Sequence, residues 1–309
     1  MNDTRDFLRS LGLPGEDPHL PPASTKRFPD GAEYRVEIPS TEGPRPLRAL
    51  LEEATRLKVP IHRVSQGSGI MLLTDEEIRE MLRIGRDHGI EVSLFVGPRA
   101  AWDIGGQALT PAGRIIGCQH RGTEGLVHAV EDIKRGCDLG LRGILVADWG
   151  LLQLVGQMKQ WGALPKNLVV KTSVQLPAAN PATARLVQDL GAGTINIPVD
   201  LTLSQIAGIR QAIDRPIDLY IETPDNFGGF IRYYELPDLV RIAAPLYVKL
   251  GLRNSPDIYP SGSHLESTAI ALSIERVRRA RIALDLLARY AANARTGEPG
   301  AADLGIPEV

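Results

Sequence analysis

Two cysteines, Cys118 and Cys137, are all the chain has, and they are not at CxxC spacing. By themselves they make neither a four-cysteine cluster nor a zinc site. The six histidines are scattered; His62, His120 and His264 form no HxH or HExxH pattern, which argues against zinc. No GxSxG elbow is present to start a serine triad, and no GxGxxG or GxxxxGK[ST] loop to cradle a nucleotide. Charge of either sign is not in excess. With 35 basic against 37 acidic residues and no basic stripe among aromatics, neither nucleic acid nor an anionic membrane is an expected partner. No run reaches eighteen apolar residues, and the first thirty residues carry Asp3, Arg5 and Asp6 with no apolar h-region. Membrane insertion and export are therefore not expected, and the cytoplasm is the expected compartment.

What is present is alternation. Hydrophobic residues make up 43% of the chain, enough for a large core, and they fall into eight strand-then-helix units. The strand segments are 34–38, 61–65, 90–96, 143–148, 168–175, 194–200, 217–222 and 246–250. The matching helical patterns run over 46–57, from Thr74 and Glu77, from 123, over 150–161, 180–190, 202–213 and 234–243, and from Ser263 to about Asn293. Thr74 with Glu77 and Thr202 with Gln205 have the spacing of capping boxes. Apolar, β-branched strands with intervening amphipathic helices are parallel strands covered on both faces. Eight such units in 309 residues predict a single α/β domain, a (β/α)8 TIM-type barrel over residues 31–295. Residues 1–30 form an N-terminal arm across it, and 296–309 a loose C-terminal tail. A doubly wound open sheet is the runner-up.

Connections from helix to strand are short, whereas those from strand to helix at 97–122, 222–233 and 251–262 are long and rich in glycine and proline. Long loops on one end of a rigid scaffold put the working face at the carboxyl ends of the strands. Side chains alternate along strands, so polar residues in these apolar runs should face the lumen. This places Glu37, Asp148, Lys171, Gln175, Asn196, Asp200, Glu222 and Lys249 in or just above it. A salt-bridged plug is the bland reading; a clustered site with perturbed groups is the functional one.

Three chemistries fit. Glu37, Asp148 and Glu222 could hold one divalent ion such as Mg2+ or Mn2+. Glu222 and Asp148 could work as acid and base without a metal. Lys171, desolvated beside Lys249, could serve as a Schiff-base amine; Val170-Lys171-Thr172-Ser173 is similar to the Schiff-base segment of deoxyribose-phosphate-type aldolases. In the metal and acid–base readings Lys171 and Lys249 stabilise developing negative charge, while Ser173, Gln175, Asn180, Asn196 and Arg253 orient the substrate. Arg99, Arg121 and Arg232 are further loop arginines able to fork onto an anion. Trp102-Asp103 followed by Gly105-Gly106 suggests a lid hinge, and 222–230 a clamp with aromatic walls.

One stretch also resembles a known family. Asp138-Leu139-Gly140, Val146-Ala147-Asp148-Trp149-Gly150-Leu151-Leu152, Ser173-Val174-Gln175 with Asn180, Leu190-Gly191, and Asp200-Leu201-Thr202-Leu203-Ser204-Gln205-Ile206 are similar to signatures of the peptidase U32 (collagenase-like) family. The resemblance implies a barrel with Asp148, Ser173, Gln175, Asn180 and Asp200 at a shared site. The chain departs from the family at Pro198-Val199-Asp200. It departs again at 222–230, which has no cysteine where cluster-bearing members have several, so no iron–sulfur cluster is expected; the missing glycine-rich loops leave no nucleotide cofactor expected either. Peptidase activity finds no nucleophile here. The expectation is an enzyme for a small polar, anionic substrate that performs a hydrolytic or lyase step. The alternative is a non-catalytic barrel that binds a metabolite or a homologous partner. A homo-oligomer is compatible with the apolar last helix.

Overall fold

The computed structural model describes residues 2–97, 110 and 117–309. Among them eight parallel strands form one sheet: β1 (Tyr34–Pro39), β2 (Arg63–Gln66), β3 (Glu91–Phe95), β4 (Gly143–Val146), β5 (Val169–Thr172), β6 (Ile195–Asn196), β7 (Ile217–Glu222) and β8 (Leu246–Leu250). Hydrogen-bonded neighbours run β5-β4-β3-β2-β1-β8-β7-β6. The remaining edge, between β5 and β6, closes through one bridge, Lys171 to Thr194. Three backbone bonds make this contact, Thr172 N to Thr194 O at 3.1 Å, Thr194 N to Val170 O at 3.3 Å and Gly193 N to Val170 O at 2.7 Å. The expected TIM-type barrel is the observed one.

The helices alternate with the strands as expected: α1 (Asn2–Ser10), α2 (Pro44–Leu57), α3 (Asp75–Asp87), α4 (Gly122–Asp138), α5 (Trp149–Gln160), α6 (Pro181–Asp189), α7 (Leu203–Ala212), α8 (Leu236–Ala243) and α9 (Glu266–Tyr290). Both capping boxes form, with the Thr74 and Thr202 side chains accepting from the Glu77 and Gln205 backbone N–H groups. The last helix starts slightly later than its sequence pattern. Ser263–Leu265 is a 3-10 turn, and α9 opens after Leu265 without a side-chain cap.

Outward strand residues such as Val36, Ile38, Val64, Val92, Ile144, Val170, Leu219 and Val248 pack with the helices' inner faces into one apolar cluster. Burying such β-branched and leucine side chains stabilises the fold by roughly 25 cal/mol per Å². The lumen is polar by the same alternation. Among the described residues no helix is long and apolar enough to cross a membrane.

Both chain ends brace the amino-terminal floor. Ser24 N donates to Arg241 O at 2.8 Å, and Phe28 meets Tyr247 edge-on at 5.2 Å. The tail is not loose, contrary to its glycine and proline content. Arg35 pairs with Asp303 at 2.8 Å, Gly305 N donates to Glu91 Oε2 at 3.0 Å, and Glu308 N to Gly140 O at 2.9 Å. Gly140 is required there: its φ is +100°, and an added Cβ would stand 2.5 Å from Glu308 O.

Candidate active site

The barrel's middle layer is ionic. Arg63, from β2, donates through Nε to Glu37 Oε2 at 2.9 Å and through Nη1 to Thr194 Oγ1 at 3.1 Å, and it also pairs with Asp218. Thr194 Oγ1 in turn donates to Asp218 Oδ2 at 2.8 Å. Glu37 receives Ser65 Oγ at 2.7 Å and the Lys171 ammonium on Oε1, with Lys249 Nζ 3.8 Å away. Burial pushes the Glu37 carboxyl up, but Arg63, Lys171 and Lys249 together hold it well below the usual carboxylate range. Burial works the other way on the lysines. Lys171 is pushed down to about 7, with Lys249 and Arg63 adding to the fall against Glu37. Lys249 is also lowered, by burial first, while Glu37 and Asp218 oppose. This is what desolvation beside like charge does to an amine.

Above this layer, at the carboxyl ends of the strands, lies a cavity of about 90 Å³. Ser65, Ser173, Asn196, Tyr220 and Lys249 line its lower part, and Ser40, Asp225, Phe227, Tyr259 and Arg276 its mouth. Lys249 Nζ sits 4.0 Å above the Tyr220 ring. In its satisfied orientation the Asn196 carboxamide donates to Asp218 O at 3.1 Å and accepts from Lys249 Nζ at 2.7 Å. Lys171 is wholly buried and does not line the cavity. On the opposite wall the Tyr259 hydroxyl bonds Ser40 Oγ, and Ser40 itself is left-handed at φ 58°, an unusual conformation for a non-glycine residue. Tyr259 rests on Gly67, where an added Cβ would stand 2.6 Å from its ring.

Residues 120–223 match the model of peptidase family U32. The sequence resemblance is thereby borne out over that span. A solved U32 peptidase, Mk0906, is similar at 16% identity and a TM-score of 0.39, over 65% of this chain and 73% of its own. A proposed fructose-1,6-biphosphate aldolase from Coccidioides immitis is similar at 12% identity and a TM-score of 0.50, over 94% of this chain and 96% of its own. No curated protein matches the sequence. The U32-matched span carries β4 to β7, and so supplies Lys171, Ser173, Asn196, Asp218 and Tyr220 to the lumen.

The structure gathers some of the expected residues and separates others. Glu37, Lys171, Asn196 and Lys249 meet in the lumen, and Ser173 lines the cavity above them. Asp148 does not join them. As N-cap of α5 its Oδ1 accepts from Leu151 N at 2.7 Å, and its Oδ2 from His120 N at 3.1 Å. Asn180 is likewise the N-cap of α6, accepting from Thr183 N at 2.9 Å, and is exposed. Asp200 is exposed as well. Gln175 accepts from Cys118 Sγ at 2.8 Å beside the lumen.

Glu222 follows a register irregularity after Tyr220. Its carboxylate holds loops together, accepting from Tyr233 Oη at 2.7 Å and Arg253 N at 3.0 Å. Arg253's guanidinium pairs with Asp225 at 3.0 Å and is half exposed; Arg232 pairs with Glu235 at 2.6 Å. Among the described residues no three His, Cys, Asp or Glu side chains come together as a metal site. The set Glu37, Asp148 and Glu222 is therefore not assembled: the first lies in the lumen and the other two are tied to helix and loop backbone. Arg99 and the hinge at Trp102, Asp103, Gly105 and Gly106 lie outside the described residues.

Two contributors were missed. Arg63 shares a strand face with Ser65, a signal that alternation carried. Arg276 lies on α9, on the same buried helical face as Ala269, Ser273, Val277 and Ala280. An arginine on that apolar stripe was the signal.

Proposed function

We propose that this barrel is a lyase-type enzyme that uses Lys249 as an amine on a small carbonyl substrate. The observation that carries the reading is Lys249's position. It is the lumen lysine that borders the cavity, set over an aromatic ring and beside a second lysine, with its basicity lowered. Lowered basicity makes the neutral, nucleophilic form of the amine easier to reach. Its lone pair would add to the carbonyl carbon, and the carbonyl oxygen would take two protons and leave as water. The resulting iminium would accept the electron pair of the bond between its α- and β-carbons as that bond breaks; the β-hydroxyl gives up its proton so that its fragment leaves as an aldehyde, and the enamine is then protonated and hydrolysed by water to free the lysine. Lys171, at about 7 and next to Lys249 but not bordering the cavity, suits taking up and returning the proton of the Lys249 amine, because an acid near the working pH both gives and takes a proton readily. Glu37 holds the charge balance of the layer, and Asn196 orients the Lys249 amine. The aldolase neighbour shares the fold and lends this reading no residue.

The test is borohydride reduction in the presence of glyoxylate, pyruvate and simple sugar aldehydes, with the adduct located by peptide mass mapping. A reduced adduct on Lys249, absent from Lys249→Met, is the expected result. An adduct on Lys171 alone, or none with any carbonyl, would remove the amine mechanism and leave a binding barrel as the better account.

A further inference from the structure

The cavity holds a second cation that the amine chemistry does not use. Arg276 is 3% exposed and reaches the cavity wall from α9. Its Nη1 donates to Ser40 O at 3.2 Å, its Nε has no acceptor, and among the described residues no carboxylate pairs with it. The two buried arginines that rise from strands differ: Arg63 meets Glu37 and Asp218, and Arg35 meets Asp30 and Asp303; Arg210, on α7, also lacks a carboxylate ion pair among the described residues but does not line this cavity. Burial lowers the Arg276 pKa, with Tyr259, Tyr220 and Glu42 opposing, yet a guanidinium stays charged in any protein. A buried, charged and unpaired group is strongly unfavourable. Where such a group lines a cavity, an anionic ligand can supply the missing charge.

We infer that Arg276 is the anchor for a substrate carboxylate, so that the substrate class is a small oxo-acid whose carbonyl meets Lys249. The inference rests on the amine reading for the carbonyl half alone; the anion subsite stands on the geometry of Arg276. The site suits a carboxylate on two counts. With Nη1 engaged by Ser40, one edge of the guanidinium is left, which matches the two oxygens of a carboxylate. The cavity, at about 90 Å³, suits a compact ligand. Ser40's left-handed backbone aims its carbonyl at Nη1 and so fixes the plane of the fork, while the Tyr259 hydroxyl holds the Ser40 side chain.

Acetate, pyruvate and inorganic phosphate titrated calorimetrically into the wild type, Arg276→Met, Arg276→Lys and Lys249→Met separate the two halves. Acetate has no ketone, so its binding reports the subsite without the amine. It should bind the wild type and Lys249→Met alike, about thirtyfold more weakly to Arg276→Met, and with intermediate strength to Arg276→Lys, which keeps the charge and loses the fork. Ligand-free Arg276→Met should melt no lower than the wild type, because the substitution removes an uncompensated charge; a purely structural arginine would show the reverse. Undiminished acetate binding by Arg276→Met overturns the inference, as does preference for phosphate over acetate. Acetate binding without any borohydride adduct would instead remove the amine reading and leave the subsite standing.

Discussion

Glu37→Gln is the most informative perturbation of the ionic layer, because one carboxylate faces Arg63, Lys171 and Lys249. The substitution keeps the shape and removes the charge. Breaking a fully buried pair by deleting one partner costs about 3–5 kcal/mol. A chain of 309 residues unfolds with an entropy near 2.1 cal/mol/K per residue, so each kcal/mol moves the melting temperature by roughly 1.5 °C. The variant should melt about 5–8 °C below the wild type by calorimetry at pH 7. The double variant Glu37→Gln/Lys171→Met should regain part of that loss, since it also removes a lysine left without its counter-charge.

The pH response has a definite sign. Lys171 falls to about 7 in the fold from about 10.4 in the unfolded chain. Between those values the unfolded state binds more protons, and stability from this group rises with pH. Without Glu37, which opposes the fall, the window opens lower, so Glu37→Gln should recover stability as pH rises from 6 toward 9 more steeply than the wild type. A melting temperature within about 2 °C of the wild type at pH 7 would refute the view of Glu37 as counter-charge to the lysines.

Other outcomes follow from single contacts. His62 is buried, accepts from Val36 N at 3.0 Å and bonds Gly297 O at 2.7 Å, and burial lowers its pKa to about 4; a neutral buried imidazole loses stability as pH falls from about 6.5 to 4, by roughly 3 kcal/mol, and His62→Gln should flatten that limb of a chemical-denaturation profile. Asp148→Ala removes a helix cap and should lower stability by about 1–2 kcal/mol while leaving borohydride adduct formation intact; loss of the adduct in a folded Asp148→Ala would return that residue to the chemistry. Gly67→Ala would displace the Tyr259 ring, so acetate binding should weaken with little change in melting temperature. Deleting residues 304–309 strips Gly305 from Glu91 and Glu308 from Gly140, and should lower the melting temperature by several degrees, read by scanning fluorimetry.

The barrel was legible because period-two strands and capped helices leave local marks: Val64 between Arg63 and Ser65, or Thr74 three residues before Glu77. The lumen positions of Glu37, Lys171, Asn196 and Lys249 came from the same alternation. What alternation does not carry is depth. Lys171 and Lys249 look equivalent in their strands, and only the stagger of β5 against β8 puts one at the cavity and the other beneath it. Asp148 and Asn180 misled for a physical reason, since a polar residue at the junction of a strand end and a helix start looks the same whether it caps or catalyses. Glu222 was displaced by an irregularity in pairing that no composition signals. Arg276 lies on a helix, away from the strand ends and loops where polar residues mark the site, although its helical face is apolar enough to make an arginine conspicuous.

The contact between β5 and β6 gives the barrel a grain. Among the described residues seven of its joints are ladders, and this one is a single bridge with three backbone bonds. The molecule is therefore a rolled strip with a latch, and the latch lies at Lys171 and Thr194, the residues through which Glu37 and Arg63 reach across. Charge in the lumen does the fastening that backbone does elsewhere. Amide hydrogens of Thr172, Gly193 and Thr194 should be the first in the sheet to exchange with solvent. Any widening of the barrel by a guest in the cavity would travel along that line, loosening Lys171 from Glu37 as it went.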